Sequence, residues 1–172
     1  MTENKNKVII YTDGGCLNNP GPGGYGAVLL HGEKRKELSG GFRKTTNNRM
    51  ELTACIEALK ALKYPCSVML HSDSQYVVNG ITKGWAERWK KKGWMRGQNA
   101  PAENCDLWDK LLELCKIHDV EFVWVRGHAG NIENERCDQL ANAGSSNKEN
   151  QGIDEAYETG KTTCVTKLNF RV

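Results

Sequence analysis

Five segments of this chain have the length and composition of β-strands, and their order among helical segments restricts the available folds. They are rich in β-branched and aromatic residues and lie at 8–13, 25–30, 34–42, 67–73 and 120–125. The first three follow one another with turn residues such as His31-Gly32 between them, which predicts an antiparallel meander. The last two are separated by helical segments, and strands joined through helices pair in parallel. We therefore expect an α/β fold with a mixed five-stranded sheet, three antiparallel strands followed by parallel ones, and helices on both faces.

The helical segments are recognised by apolar residues that recur every three or four positions. In the first helix, predicted at 48–63, the recurring residues are Leu52, Cys55, Ile56, Leu59 and Leu62. Short helices are predicted at 74–80 and 85–92, and longer ones at 105–116 and 133–143. Asn104 is the expected N-cap of the helix at 105–116, and Ser74 or Asp73 is the expected N-cap of the helix at 74–80.

The length of 172 residues suits one compact domain, which we place at residues 1–145. Residues 146–172 begin with a run rich in Ser, Asn, Lys and Glu, and this composition predicts a loosely ordered C-terminal tail. Residues 163–172 alternate between apolar and polar types, so a terminal strand or docking segment is an open alternative there. The apolar runs are too short to span a membrane and the N-terminus lacks an apolar signal segment, so we expect a cytoplasmic protein with no membrane partner.

The seven cysteines lie at 16, 55, 66, 105, 115, 137 and 164, and their spacing contains no Cys-x-x-Cys pair. An odd number of cysteines scattered through core segments is typical of reduced thiols that pack as small apolar residues. We therefore expect neither a disulfide framework nor a zinc site.

Two of the predicted strands end in an aspartate. Asp13 closes the first strand and Asp73 closes the fourth, and ligand sites of α/β sheets gather beyond the carboxyl ends of strands. Glu51 lies at the edge of the core-facing stripe of the first helix, where a carboxylate is costly to bury. Each has a structural alternative: Asp73 resembles a cap of the following helix, and Asn48-x-x-Glu51 resembles a capping box.

Two further residues complete the candidate site. Asp138 follows an inward-facing Cys137 in the last helix, although single acids on terminal helices are usually solvated. Four carboxylates in one pocket repel one another unless cations intervene, and Mg²⁺ is well held by a few carboxylates and water. His128 stands in a glycine-flanked loop after the last strand, where an imidazole can move protons or assist product release. The other three histidines have no such setting.

The motifs of this chain taken together resemble bacterial type 1 ribonuclease H, from about residue 8 to 143. They are YTDGGCLNNPGPGGYGAVL, TTNNRMELTA, SDSQYVVNGI, WKKKGW and VRGHAGNIENERCDQLA. The resemblance implies the ribonuclease H-like fold and an endonuclease that hydrolyses the RNA strand of RNA–DNA hybrids with two metal ions, leaving 5′-phosphate and 3′-hydroxyl ends. It implies Asp13, Glu51, Asp73 and Asp138 as catalytic metal ligands for Mg²⁺, with Mn²⁺ as an alternative ion, and His128 as the mobile proton-transfer or product-release residue.

The resemblance also implies how the hybrid is read. It assigns contacts in the minor groove to Cys16, Asn19, Asn47, Asn48 and Gln75. Gly14 is a further predicted nucleic-acid contact, and Thr46 is expected to contact a phosphate of the DNA strand. Side-chain amides can pair with base edges and with the 2′-hydroxyl that distinguishes RNA from DNA. The glycines of the opening loop are interpreted as letting the backbone approach a sugar–phosphate chain closely. A turn-forming role for Asn47 is the structural alternative.

One short segment is far more basic than the rest of the chain. Between Lys83 and Arg96 there are six cationic residues and one acid, a phosphate-binding pattern. By resemblance, residues 81–98 form a basic handle that grips the DNA strand through Trp85, Trp89, Lys90, Lys91 and Lys92. Packing of the tryptophans in the core is the alternative.

Other functions are compatible with parts of this pattern. A transposase, integrase or junction nuclease of related fold would share the acidic quartet but act on DNA alone. A hybrid-binding module without catalysis would leave the four carboxylates unexplained. A phosphatase acting on small molecules would leave the basic handle unexplained. A monomer is expected.

Overall fold

The computed structural model describes residues 7–164 and consists of thirteen helices and strands within that range. The strands are β1 Lys7–Cys16, β2 Gly21–His31, β3 Lys34–Thr45, β4 Ser67–Ser72, β5 Met95–Gly97, β6 Ala100–Pro101 and β7 Asp119–Trp124. The helices are α1 Asn47–Lys60, α2 Gln75–Thr82, α3 Trp85–Lys91, α4 Cys105–Ile117, α5 Ile132–Ser146 and α6 Glu155–Glu158. The five strands and five helices predicted from the sequence are present, with ends that differ by up to four residues.

The main sheet has the strand order β3-β2-β1-β4-β7. Strand β1 pairs antiparallel with β2 and parallel with β4, and β4 pairs parallel with β7. Alternate residues of β1 face opposite sides: Ile10 joins the core under α1 and α4, whereas Tyr11 packs against the cluster that contains Cys137 of α5. The prediction of a mixed five-stranded sheet with helices on both faces is confirmed.

The opening glycine-rich segment is a strand pair and not an open loop. Strand β1 continues to Cys16, and Gly15 and Cys16 pair with Gly24 and Gly23 of β2. A side chain on Gly24 would overlap the backbone of α5 at Ala141, so this glycine serves close packing of helix on sheet. A side chain on Gly23 would meet the side chains of Cys16, Thr45 and Met50. The interpretation that these glycines make room for a sugar–phosphate chain is therefore wrong for Gly23 and Gly24.

Residues 147–164 are fastened to the domain, and the expectation of a loosely ordered tail is wrong for them. The backbone of Gly152 accepts from the amide of Arg43 at 3.0 Å and donates to the carbonyl of Gly41 at 2.9 Å, which extends the edge of β3. Asp154 is buried, and α6 follows it. The polar composition of this segment did not indicate its packing, because one of its main contacts is a buried ion pair between Asp154 and Arg49. We call residues 147–164 the C-terminal strap; residues 165–172, where a terminal strand was an alternative, lie outside the described range.

The cysteines divide into one disulfide and five free thiols in the described chain. Cys105, the first residue of α4, is bonded to Cys164 of the C-terminal strap, so the expectation that no disulfide forms is wrong. The two residues are 59 positions apart in sequence and meet only because the strap returns to α4. Cys55 and Cys137 are buried free thiols that pack as apolar core residues, in line with the prediction.

Within residues 7–164 the helices are too short or too polar to cross a membrane.

Candidate active site

Asp13 and Asp73 lie side by side, directly after the last residues that β1 and β4 pair in parallel. The expectation that Asp13 closes β1 is wrong, because β1 continues beside β2 to Cys16. The register that pairs Thr12 of β1 with Ser72 of β4 brings the next residue of each strand to the same edge of the sheet. Asp13 is only 9% exposed, and its Oδ1 accepts a hydrogen bond of 2.8 Å from the amide of Gly14. The two strand ends therefore hold one buried and one partly buried carboxylate next to each other.

Glu51 reaches the same place from α1, one turn inside the helix. The helix is capped by Thr46, whose Oγ1 accepts from the amide of Arg49 at 3.3 Å. The capping-box alternative for Asn48 and Glu51 is therefore wrong, because the N-cap is Thr46, two residues before Asn48. Glu51 Oε2 is buried and has no hydrogen-bond partner among the described residues. A buried carboxylate oxygen left without a donor is costly, and a bound cation would remove that cost.

A side chain on Gly14 would overlap the backbone of Met50 and Glu51. Glycine at this position lets α1 approach β1 closely enough to bring Glu51 beside Asp13. The interpretation that Gly14 makes room for a sugar–phosphate chain is therefore wrong in its reason, since the space is filled by the protein itself.

Asp13, Glu51 and Asp73 each offer one carboxylate oxygen, and these three oxygens lie within 4.8 Å of one another. They lie in a cavity of about 330 Å³. Asp138 lines the same cavity, outside the group of three, and accepts a hydrogen bond of 3.3 Å from Nδ2 of Asn142. The cavity is lined by Asp13, Gly14, Gly15, Asn47, Asn48, Glu51, Asp73, Ser74, His128, Asp138, Ala141 and Asn142. All four predicted carboxylates thus face one space.

Burial and mutual repulsion raise the pKa values of the two innermost acids. Desolvation, followed by the charges of Asp73 and Asp138, raises the pKa of Asp13 from 3.8 to about 7, despite the stabilising amide of Gly14. Desolvation and the charges of Asp13 and Asp73 raise the pKa of Glu51 well above its usual value. These shifts show that the cluster is electrostatically unfavourable without a compensating positive charge.

His128 lies at the rim of the cavity. It is exposed, stands in the loop between β7 and α5, and has a left-handed backbone with φ of 53°. Such a position leaves the imidazole in contact with solvent and beside the carboxylates.

Residues 5–146 match the family model for RNase H. The chain belongs to the ribonuclease H family. It is 69% identical to the ribonuclease H of Syntrophus aciditrophicus over 135 residues, which cover 78% of each chain. It is 56% identical to that of Rippkaea orientalis over 158 residues, or 92% of this chain and 96% of the relative. The ribonuclease HI of Synechocystis sp. is 52% identical over 158 residues, or 91% of this chain and 98% of the relative.

Solved structures of the family have the same fold. LC9-RNase H1, described as a type 1 RNase H with the type 2 active-site motif, matches with a TM-score of 0.73 and 31% identity, over 92% of this chain and 75% of that chain. LC11-RNase H1 in complex with RNA/DNA hybrid matches with a TM-score of 0.61 and 25% identity, over 87% and 99% of the two chains. The predicted family, fold and activity are thereby confirmed: the chain is a hydrolase of the ribonuclease H type, an endonuclease for the RNA strand of RNA–DNA hybrids.

The residues predicted to read the hybrid fall into a connected corner beside the ribonuclease H carboxylates. Asn47 Oδ1 accepts from the amide of Cys16 at 2.7 Å, and Asn19 Oδ1 accepts from the amide of Asn47 at 3.2 Å. Asn47 and Asn48, the first two residues of α1, line the cavity. Thr46, the N-cap of α1, lies between them and the end of β3. The exposed Gln75 begins α2 immediately after Asp73 and Ser74. The corner is thus held in shape partly by its own amide side chains.

The basic handle forms a helix and a small hairpin, α3 and β5–β6, that the sequence predicted only as a helix. Trp89 is partly buried with its ring edge-on to Trp108 at 6.1 Å, so it anchors the handle to α4. Trp85 lies 6.5 Å from Trp89, and the ammonium group of Lys83 lies 5.4 Å from the centre of a Trp85 ring.

The three consecutive lysines of the handle differ in their surroundings. Lys90 Nζ forms ion pairs with Asp109 at 2.7 Å and with Glu113 at 3.1 Å, both on α4. Lys91 and Lys92 are exposed at the end of α3. The handle lysines are therefore not equivalent, which charge counting did not indicate.

Two residues that support Asp73 were missed by sequence reasoning. Asn134 is buried, and its Nδ2 donates to Asp73 Oδ2 at 3.4 Å. Trp124 Nε1 donates to the backbone carbonyl of Asp73 at 3.1 Å. The spacing of four residues between Asn134 and Asp138 in the final helix was an available signal, because such residues share one helical face. No local pattern pointed to Trp124.

Proposed function

We propose that this ribonuclease H hydrolyses the RNA strand by a two-metal-ion mechanism, in which Asp13, Glu51, Asp73 and Asp138 would hold the ions. The observation that carries the proposal is the group of three carboxylate oxygens within 4.8 Å, one member of which has a buried oxygen without a donor. The products are 5′-phosphate and 3′-hydroxyl ends.

Mg²⁺ fits this donor set, with Mn²⁺ as an alternative ion. Both prefer oxygen ligands, and Mg²⁺ is commonly held by a few carboxylates, with water and substrate phosphate completing its shell. When bound, a pair of such ions activates water and stabilises the leaving oxygen in phosphodiester cleavage. The raised pKa values of Asp13 and Glu51 support the assignment, because a bound cation favours the ionised carboxylates.

The remaining residues of the cavity orient the ligands and move protons. Asn134 and Trp124 hold Asp73 from two sides, through its carboxylate and its backbone carbonyl. His128, at the exposed rim, accepts and returns protons during hydrolysis or assists release of the cleaved strand. Its exposure suits this role, since an imidazole in contact with water exchanges protons readily.

The hybrid lies across the corner beside the carboxylates. Cys16, Asn19, Asn47, Asn48 and Gln75 contact its minor groove, Gly14 contacts the hybrid through its backbone, and Thr46 contacts a phosphate of the DNA strand. The amide groups recognise 2′-hydroxyls and base edges without adding charge next to an anionic backbone. LC11-RNase H1, which shares this fold, was solved in complex with RNA/DNA hybrid, and this supports the hybrid as the partner.

The basic handle grips the DNA strand beyond the cavity. Lys91 and Lys92 supply exposed positive charge, and Trp85 and Trp89, 6.5 Å apart on α3, contact the strand beside them. Lys90 contributes less to phosphate binding, because two acids of α4 already neutralise it.

The catalytic unit is residues 1–145 and acts as a monomer. One chain carries all four carboxylates, the hybrid-reading corner and the handle, so the site is complete without a second copy. We place the protein in the cytoplasm. Its five free cysteines favour a reducing compartment, where the Cys105–Cys164 bond would be open to reduction.

The test is cleavage of a labelled RNA–DNA hybrid compared with duplex RNA and duplex DNA, with Mg²⁺ and with EDTA. Cleavage of the hybrid alone, restored by Mg²⁺ after EDTA, is expected. Binding without cleavage would favour the non-catalytic module, and cleavage of duplex DNA would favour a related DNA nuclease or transposase.

A further inference from the structure

Arg49 is an unusual residue for the first turn of a helix that reads a nucleic acid, because its side chain is only 2% exposed. Its guanidinium is turned away from the cavity and is fully engaged. Asp106 of α4 accepts from Nη1 at 2.9 Å and from Nη2 at 2.7 Å. Asp154 of the C-terminal strap accepts from Nε at 2.7 Å and from Nη2 at 2.9 Å. One buried cation is thus held by two carboxylates on separate elements, each in a two-point contact.

Asp154 makes two contacts that Asp106 lacks, one to Thr45 and one to the amide of Tyr157, which it caps at the start of α6. Its Oδ2 also accepts a hydrogen bond of 2.7 Å from Oγ1 of Thr45, a residue with no exposed surface at the end of β3. Burial would raise the pKa of Asp154, but the hydrogen bonds from Arg49 and Thr45 outweigh burial and leave this pKa below its usual value. Asp154 is therefore an ionised, buried side chain that accepts from two residues of the same corner and, at 3.4 Å, from the amide of Tyr157.

Thr45 and Arg49 flank the residues assigned to the hybrid. The chain turns from β3 into α1 at Thr46, Asn47 and Asn48, and we call residues 45–49 the β3–α1 corner. Asp154 fixes the strand side of this corner through Thr45 and the helix side through Arg49. The strap that supplies Asp154 begins where the family match ends, at residue 146.

We propose that Asp154 is a positioning residue for the hybrid: by joining Thr45 to Arg49 it holds the β3–α1 corner in the shape that binds substrate. This inference rests on the proposed function, since it assigns a role in hybrid binding to the same corner. It predicts that loss of the Thr45 to Asp154 bond weakens hybrid binding and leaves the chemical step intact, because the metal ligands stand on β1, β4, α5 and the next turn of α1.

The decisive pair of variants is Thr45→Val and Thr45→Ser. Valine keeps the shape of threonine without the hydroxyl, and serine keeps the hydroxyl without the methyl group. Cleavage of a labelled hybrid is measured over a range of hybrid concentrations, well below the melting temperature of each variant. Thr45→Val is expected to raise KM about fivefold, the effect of one lost hydrogen bond, with kcat within about twofold of wild type. Thr45→Ser is expected to keep the wild-type KM.

Asp154→Ala and Asp106→Ala form the matched control pair. Each removes one two-point carboxylate from Arg49, so both lower the melting temperature. Asp154→Ala also frees Thr45 and uncaps α6, and it is expected to raise KM about tenfold, while Asp106→Ala raises it no more than about twofold. The Thr45 variants separate the loss of the Thr45 bond from the loss of the cap, because they leave the contact with Tyr157 in place.

Two results would overturn the inference. One is a wild-type KM in Thr45→Val, or a lower kcat at unchanged KM. This readout stands even where Asp154→Ala fails to fold. The other is an equal rise of KM in Asp154→Ala and Asp106→Ala, which would mean that the network only stabilises the fold. Wild-type protein that does not cleave the hybrid at all would instead refute the proposed function.

Discussion

The carboxylate cluster predicts that removing one of its acids stabilises the metal-free protein while abolishing turnover. The perturbation is Asp13→Asn, which keeps the shape of the side chain and the oxygen that accepts from the amide of Gly14. The folded protein raises the pKa of Asp13 from 3.8 to about 7. A folded pKa above the unfolded one means that the folded state holds a proton that the unfolded state has already lost between those two values. The free energy of unfolding therefore falls as pH rises from about 4 through about 7.

The size of the effect follows from the shift. About three pH units correspond to about 4 kcal/mol, which is an upper bound because the cluster can relax and admit water. We expect Asp13→Asn to regain at least about 2 kcal/mol at pH 8 in EDTA. For a protein of this length that is a rise in melting temperature of about 4 °C or more. At pH 4 the difference should nearly vanish, since both proteins are then uncharged at this position.

The assay is thermal unfolding of wild type and Asp13→Asn at pH 4, 6 and 8 in EDTA, and again at pH 8 with Mg²⁺. Asp119→Asn is the control, because Asp119 is an exposed carboxylate at the start of β7. Mg²⁺ should stabilise the wild type and the control but not Asp13→Asn, since only an intact site gains stability from binding. An Asp13→Asn protein less stable than wild type at pH 8, or wild-type turnover in that variant, would refute the reasoning.

Three further variants test the handle, the packing of α1 and the rim of the cavity. Replacing Lys91 and Lys92 with alanine should weaken hybrid binding and reduce the slope of log K against log salt concentration by about 2. Lys90→Ala should change this slope by less than about 1, because Lys90 is already paired with two acids. Binding titrations at several salt concentrations measure the slope, and equal effects of the two changes would contradict the ion-pair argument. Gly14→Ala should lower the free energy of unfolding by about 1–3 kcal/mol, because its new methyl group overlaps the backbone of α1, and a wild-type urea midpoint would count against that overlap. His128→Ala should lower kcat about a hundredfold with little change in KM, and an unaltered kcat would remove His128 from the mechanism.

The sheet and the positions of two carboxylates were predictable because they depend on local pattern and on one topological rule. Apolar periodicity identifies β1 and β4, and parallel neighbours end at the same edge of a sheet, which brings Asp13 and Asp73 together. Glu51 was harder to place, since the same residue fits a capping box. The structure excludes the capping box because the N-cap is Thr46, two positions before the Asn48 that the box requires.

The features that were missed all depend on contacts between residues far apart in sequence. The strap looks like a disordered tail in composition, yet Asp154 reaches an arginine 105 positions away. The disulfide joins Cys105 to Cys164 across 59 positions, and no spacing motif announces it. From the sequence Lys90 is one of three equivalent lysines, but in the structure it forms ion pairs with Asp109 and Glu113 of α4. Local sequence carries no information on which distant partner a polar side chain meets.

Buried polar groups of this enzyme are of two kinds: the carboxylates of the cavity lack compensating charge, whereas the buried guanidinium of Arg49 is fully hydrogen-bonded. At the cavity, Glu51 Oε2 is buried without a donor and Asp13 is held against its neighbours, so the metal-free fold carries unfavourable charge there. On the other side of α1, every nitrogen of the Arg49 guanidinium donates to an acid, and both of those acids come from elements outside the sheet. Because Arg49 and Glu51 stand two residues apart on one helix, the compensated network fixes the helix that the carboxylate cluster would otherwise push away. The repulsion among the cavity carboxylates destabilises the fold at one face of α1, and the ion pairs of Arg49 stabilise it at the other face. Because Asp154 supplies one of these ion pairs, the ordered strap contributes to the stability of the site.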